Sequence, residues 1–146
     1  MVGNMELKDK IAGVIGGVNV AAVATVKTSS EVAPRVRYMG TVGFPDLTLQ
    51  SATAKSSPKV QQIRENPKAC LTIWKGTKLE EAFTQPYVIM DADVEVLDDE
   101  KTKNDFWNPM LENSFSGPDD PEYVVLKFTP TYAEYWLGGQ VEQWTP

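Results

Sequence analysis

From Tyr87 to Leu97 the chain alternates apolar and acidic residues: Val88, Met90, Ala92, Val94 and Val96 fall on one side, Asp91, Asp93 and Glu95 on the other. Residues two apart share a face of an extended strand, so this is a long strand with one buried and one wet face. That pattern belongs to antiparallel sheet, because the strands of a parallel sheet are covered on both sides. Shorter runs of the same kind predict strands over 20–27, 32–39, 47–53, 69–74 and 123–128, with 132–136 either continuing the last of these or beginning a short seventh piece after Pro130. Most follow one another directly, without the regular strand–helix–strand alternation of a doubly wound fold. The expected fold is mainly β with peripheral helices: a six-stranded antiparallel barrel in a single domain over 1–146, with its core over about 10–136.

Three helices fit around these strands. Leu7, Ile11, Val14 and Ile15 mark one face of a helix over 6–15, stopped by Gly16-Gly17. Ser57 as cap and Pro58 at the first helical position open a second, which carries Val60 and Ile63 and ends at Asn66-Pro67. Asp98 or Asp99 caps a third that reaches about Trp107 before Pro109 interrupts it. The segments 75–85 and 117–121 read as surface loops, and 137–146, polar except for Trp144, as a loose tail.

Composition narrows the chemistry. A net charge of −6 over 146 residues disfavours nucleic acid, which needs a positive contact face. No run of about 20 apolar residues is present and no export signal opens the chain, so a cytoplasmic location without membrane attachment is expected. There is no histidine, which removes Ser-His-Asp and Cys-His catalysis and disfavours catalytic zinc. Cys70, the single cysteine, sits in an apolar run and reads as buried filler. Asp91, Asp93 and Glu95 are spread along a wet strand face and read as a solvated surface, with no metal expected. Gly13, Gly16 and Gly17 follow no strand and are no dinucleotide fingerprint.

Two segments remain as candidates for binding. Arg35 and Arg37 lie two apart in one strand and share a face, an arrangement that is costly unless the charges are solvated or meet an anion. Ser57-Pro58-Lys59 opens a helix, where unpaired N–H groups, a hydroxyl and an ammonium converge, with Thr53 four residues earlier at a strand end. An ordinary cap beside a solvated lysine is the competing reading, and spacing alone leaves open whether the two groups meet. Trp74, Trp107 and Trp136 suit core, a subunit interface or a planar ligand.

The chain resembles the pyridoxamine 5′-phosphate oxidase-like flavin-binding split barrels, most closely the general stress protein 26-like branch. The likeness rests on 34–39, on 53–60 followed by Ile63-Arg64-Glu65-Asn66-Pro67, on 106–111, and on 117–123 with 132–136. It implies a Greek-key split barrel that binds FMN as a homodimer, with the flavin at the subunit interface. It places the phosphate on Arg37, Thr53, Ser57 and Lys59, with Arg35 nearby. The ring would lie against Val36, Tyr38, Met39, Ser51 and Ala52, with Trp107 and Trp136 shaping the pocket or the interface. Ser51-Ala52 stand where the family usually has a bulkier pair, Tyr38 where proline is common, and Ala92 where glycine is usual. The implied activity is flavin-dependent redox chemistry on a small molecule, with NAD(P)H or another reductant supplying electrons. Oxidation of pyridoxamine phosphate itself is disfavoured, because no second phosphate cluster stands near the C-terminus. Flavin storage or sensing without turnover, and a deazaflavin in the same barrel, are the alternatives.

Overall fold

The computed structural model describes residues 6–146. Its long alternating segment is β5, Tyr87–Leu97, with Val88, Met90, Ala92 and Val94 buried and Asp91, Asp93 and Glu95 exposed. The other strands are β1 (Gly17–Lys27), β2 (Ala33–Gly43), β3 (Leu49–Ala54), β4 (Lys68–Trp74), β6 (Tyr123–Leu137) and β7 (Gln140–Trp144). Three helices accompany them: α1 (Leu7–Ile15), α2 (Pro58–Glu65) and α3 (Glu100–Phe106). Two single-turn helices, Leu79–Glu81 and Pro109–Asn113, lie in the connections.

All pairings are antiparallel, in the order β3-β2-β1-β4-β5-β6-β7, and β3 also pairs with β6. That last ladder closes β1 to β6 into a six-stranded barrel, and the run β4-β1-β2-β3 is a Greek key. The interior is filled by Val23, Leu49, Leu71, Met90, Leu126 and Phe128.

Two seams make it a split barrel. β1 and β2 pair along their whole length, but β1 touches β4 only over Ala22–Ala24, and β2 touches β3 only at Val42 and Gly43. Beyond those contacts the β1–β2 hairpin peels away from the remaining wall. At the closed end α1 plugs the barrel with Ile11, Val14 and Ile15. Gly43 lets β2 pass beneath it, since a Cβ there would lie 2.0 Å from the Ile15 carbonyl oxygen. At the open end α2 connects β3 to β4 and buries Val60 and Ile63. Its start and stop follow the sequence: Ser57 is the N-cap position, Pro58 the first helical residue, Glu65 the last and Asn66 the C-cap. Asp99 caps α3, accepting a hydrogen bond from the Thr102 N–H at 3.0 Å.

One expectation is corrected and one open reading is decided. The segment 137–146 is not a loose tail: Gly138 and Gly139, at φ 61° and 79°, form a tight hairpin turn and β7 pairs with β6. Trp144 packs on the core and Lys10 bridges Glu142 at 2.9 Å, tying β7 to α1. β6 also runs unbroken through Pro130, because Thr131 is bulged out where Ala92 pairs with Pro130 and Asp91 with Tyr132. The barrel itself has the six strands expected, and β7 is a seventh outside it. No helix among the described residues is long and apolar enough to cross a membrane.

Candidate functional site

Inward-facing positions carry mostly apolar side chains, with Thr41 and Ser51 as buried exceptions, until the strands reach the open end. There β1 presents Thr25, β2 presents Arg37 and β3 presents Thr53, in line with Val23, Met39 and Ser51 deeper in the barrel. α2 closes over them with Ser57, Lys59 and Gln62. Three strand ends and one helix start therefore converge on a single polar pocket mouth.

Arg37 and Lys59 are both half-buried there. One Arg37 nitrogen, Nη1, donates to the Val23 carbonyl at 3.1 Å, to Thr25 Oγ1 at 2.9 Å and to the Arg35 carbonyl at 3.2 Å. The other, Nη2, donates to Gln62 Oε1 at 3.2 Å. Lys59 Nζ donates to Thr53 Oγ1 at 2.8 Å, and Ser57 Oγ stands 3.5 Å from the same oxygen. The Ser57 hydroxyl makes no bond to its own helix, so it is not spent as a cap.

Charge is the informative property of this cluster. Burial lowers the pKa of Arg37, and burial followed by the Arg37 charge lowers that of Lys59. The two cations therefore feel each other. Among the described residues neither pairs with a carboxylate; the lysines that do are Lys10, Lys55, Lys68 and Lys101. Two half-buried like charges held by neutral acceptors make a site suited to an anion.

Arg35 is exposed and contributes its carbonyl, not its guanidinium, to this cluster. Met39 and Ser51 are buried in the barrel wall, and the Ser51 hydroxyl donates to the Gly40 carbonyl at 2.6 Å. Val36 and Tyr38 face outward and are 70% and 81% exposed. Ala52 is half-buried on β3, where it pairs with Val125 of β6 and not with β2. Trp107 packs edge-on against Tyr123, next to the end of β3, with ring centres 5.4 Å apart. Trp136 stacks on Tyr87 at 5.8 Å near the closed end, on the outer face. It lies twelve residues along β6 from Val124, the strand partner of Thr53. One chain thus brings Arg37, Thr53, Ser57 and Lys59 together and leaves Trp136 remote.

Thr25 and Gln62 belong to the cluster and were not singled out from the sequence. Thr25 Oγ1 donates to Gln62 Oε1 at 2.6 Å. Both had a signal: Gln62 lies three residues beyond Lys59 on one helix, and Thr25 is a polar residue on the inward parity of β1. Cys70 is corrected from buried filler to a half-buried outward position opposite Asp91. Burial, with Asp91 and Glu134 nearby, pushes its thiol up to about 11, which suppresses the reactive thiolate. No group of three or more metal-binding side chains occurs among the described residues.

The sequence pattern described as "Pyridoxamine 5′-phosphate oxidase" matches residues 7–137, from α1 to the end of β6. The chain belongs to this family. Within and around it, the chain is 29% identical over 125 residues to general stress protein 26 of Bacillus subtilis, covering 86% of this chain and 84% of that one. The crystal structure of General Stress Protein 26 from Bacillus anthracis str. Sterne superposes with a TM-score of 0.77 at 27% identity, covering 96% of this chain and 100% of that one. A Clostridium acetobutylicum protein related to general stress protein 26 shares the fold at a TM-score of 0.71 and 20% identity, over 87% of this chain and 85% of that one. The barrel, its α1 plug and the α2 turn therefore lie inside the part of the chain that carries the family likeness.

Proposed function

We propose that this pyridoxamine 5′-phosphate oxidase family member binds FMN and acts as a flavin-dependent oxidoreductase on a small molecule. The observation that carries the reading is the pair of half-buried cations, Arg37 and Lys59, with no carboxylate between them. A phosphate monoester supplies the two negative charges that such a pair lacks. Ser57 adds a hydroxyl at the same place, not engaged by its own helix. Bound FMN would supply acceptance of a hydride or electrons, chemistry that a chain without histidine lacks. The protein's part is to anchor the phosphate, fix the ring's entry from the barrel mouth and limit water.

The ring end of the site calls for a second copy of the chain. The outward face of the β1–β2 hairpin exposes Val18, Val20, Val36 and Tyr38, between 66% and 81%. A monomer rarely leaves so apolar a strand surface in water. Pairing two such faces forms a homodimer and covers Val36 and Tyr38, which precede and follow the phosphate arginine.

The test is a 300–600 nm spectrum of the purified protein with mass identification of any released molecule, followed by FMN titration of R37A/K59A. Flavin bands with an FMN mass, and loss of affinity in the double variant, are expected. A protein that takes up no FMN, or a double variant that binds it as the wild type does, overturns the reading. Flavin storage without turnover is favoured by one feature: burial pushes the Cys70 thiol to about 11 and the Tyr123 hydroxyl to about 12. Neither is then poised to transfer protons near neutral pH. Steady-state reduction with NADH and with NADPH separates the two readings, because storage gives no multiple turnover.

A further inference from the structure

Arg37 and Lys59 stand on opposite sides of a seam. Arg37 sits on β2 where the β2–β3 ladder has already ended, opposite Val23 of β1, and Lys59 sits on α2, which joins β3 to β4. The sheet fixes the Arg37 backbone, since Val23 pairs in turn with Leu71 of β4, but the place of the guanidinium relative to α2 is set by side chains. Across the gap run two side-chain bonds to one amide, Thr25 Oγ1 to Gln62 Oε1 at 2.6 Å and Arg37 Nη2 to Gln62 Oε1 at 3.2 Å, and within the hairpin Arg37 Nη1 donates to Thr25 Oγ1 at 2.9 Å. A second stitch, Thr28 to Glu65 at 2.5 Å, lies at the exposed edge and touches neither cation.

We infer that Gln62, with Thr25, is a positioning residue that holds the Arg37 guanidinium at the spacing from Lys59 that a single phosphate group bridges. The inference rests on the anion site proposed above and adds to it the residues that set its geometry. A neutral amide suits this role. Its oxygen accepts from a cation and a hydroxyl together, whereas a carboxylate at the same place would neutralise Arg37 and compete with the incoming anion. Gln62 Oε1 is already shared by two donors, so the amide's orientation is fixed and its N–H groups point away from both.

Three phosphate-site variants and one cycle test this: Gln62→Leu, Thr25→Val, Arg37→Ala and Gln62→Leu/Arg37→Ala, each titrated with FMN, riboflavin and inorganic phosphate. Losing a hydrogen bond to a charged group weakens FMN and phosphate about tenfold or more in Gln62→Leu, with riboflavin unchanged. Thr25→Val, nearly isosteric, gives a loss of the same kind and keeps the inference testable should Gln62→Leu fold poorly. In the Arg37→Ala background Gln62→Leu has no further effect, because there is no guanidinium left to position. Equal weakening of riboflavin and FMN, or an undiminished effect in the Arg37→Ala background, overturns the positioning role. So does wild-type phosphate affinity in both single variants. If phosphate follows the expected pattern while FMN does not bind at all, the flavin reading fails and the positioning role stands.

Discussion

Replacing Lys59 by methionine separates the cost of the anion site from its use. The ammonium has three N–H groups, one of which donates to Thr53 Oγ1 at 2.8 Å, so two are free for a ligand. A hydrogen bond to a charged group is worth about 1.5–3 kcal/mol net, so losing one engaged N–H weakens FMN roughly 10- to 150-fold. Folding should tell the opposite story. Methionine keeps the apolar stem, Thr53 Oγ1 keeps its Ser57 neighbour at 3.5 Å, and the desolvated charge beside Arg37 is gone. The urea-unfolding free energy of the free protein therefore changes by less than about 1 kcal/mol, in either direction. FMN titration by fluorescence quenching and urea unfolding on the same preparation read both quantities. Unchanged FMN affinity refutes the assignment of Lys59. A loss of more than about 2 kcal/mol in stability refutes the claim that this lysine is held for a ligand and not for the fold.

The same lysine predicts a pH signature. Its folded pKa lies below 10.5, so between that lowered value and 10.5 the unfolded chain binds more protons, and the stability of the free protein gains from Lys59 as pH rises. FMN affinity falls over the same window as the ammonium is lost, and Lys59→Met shows neither trend. Cys70, pushed up to about 11, is roughly one part in a thousand thiolate at pH 8, so it reacts with Ellman's reagent about 100-fold more slowly than a free thiol. A rate near that of free cysteine contradicts the burial argument. Gly43→Ala drives a Cβ onto the Ile15 carbonyl oxygen and costs about 1–3 kcal/mol in urea unfolding, whereas Gly13→Ala, with no atom within 4 Å, stabilises α1 by about 0.5–1 kcal/mol. Val20→Glu and Val36→Glu, on the exposed hairpin face, give a monomer by light scattering and weaken FMN together; an unchanged mass sets that face aside as the subunit contact.

How far the chain was legible depends on the range of the interaction that fixes each part. β5 was read to the residue because alternation with one wet face is a local signal, and α2 because Ser57, Pro58 and Asn66 act within one turn of their own helix. The β7 hairpin was missed for a chemical reason. Its outward residues are polar, as an edge strand requires, and the Gly138-Gly139 turn that specifies it reads equally well as a flexible tail. Pro130 looked like a break because proline lacks the N–H a ladder uses, and the bulge at Thr131 removes that objection only in three dimensions.

The site shows the same division. Lys59, Ser57 and Thr53 were found because they share one short stretch of chain, and Arg37 because it shares a strand face with Arg35, yet nothing local says that β2 and α2 meet. That meeting follows from the β3–β6 ladder, which closes the barrel and carries α2 across the open seam toward the β1–β2 hairpin. Gln62 is the residue through which this long-range closure reaches the chemistry. In sequence it is an ordinary polar position on a short helix, and its meaning appears only once Thr25 and Arg37 stand on the other side of the gap. A split barrel can thus keep its anion site open to ligand at the seam while holding the two charges in register, because the sheet fixes the Arg37 backbone and side chains across the seam fix its guanidinium.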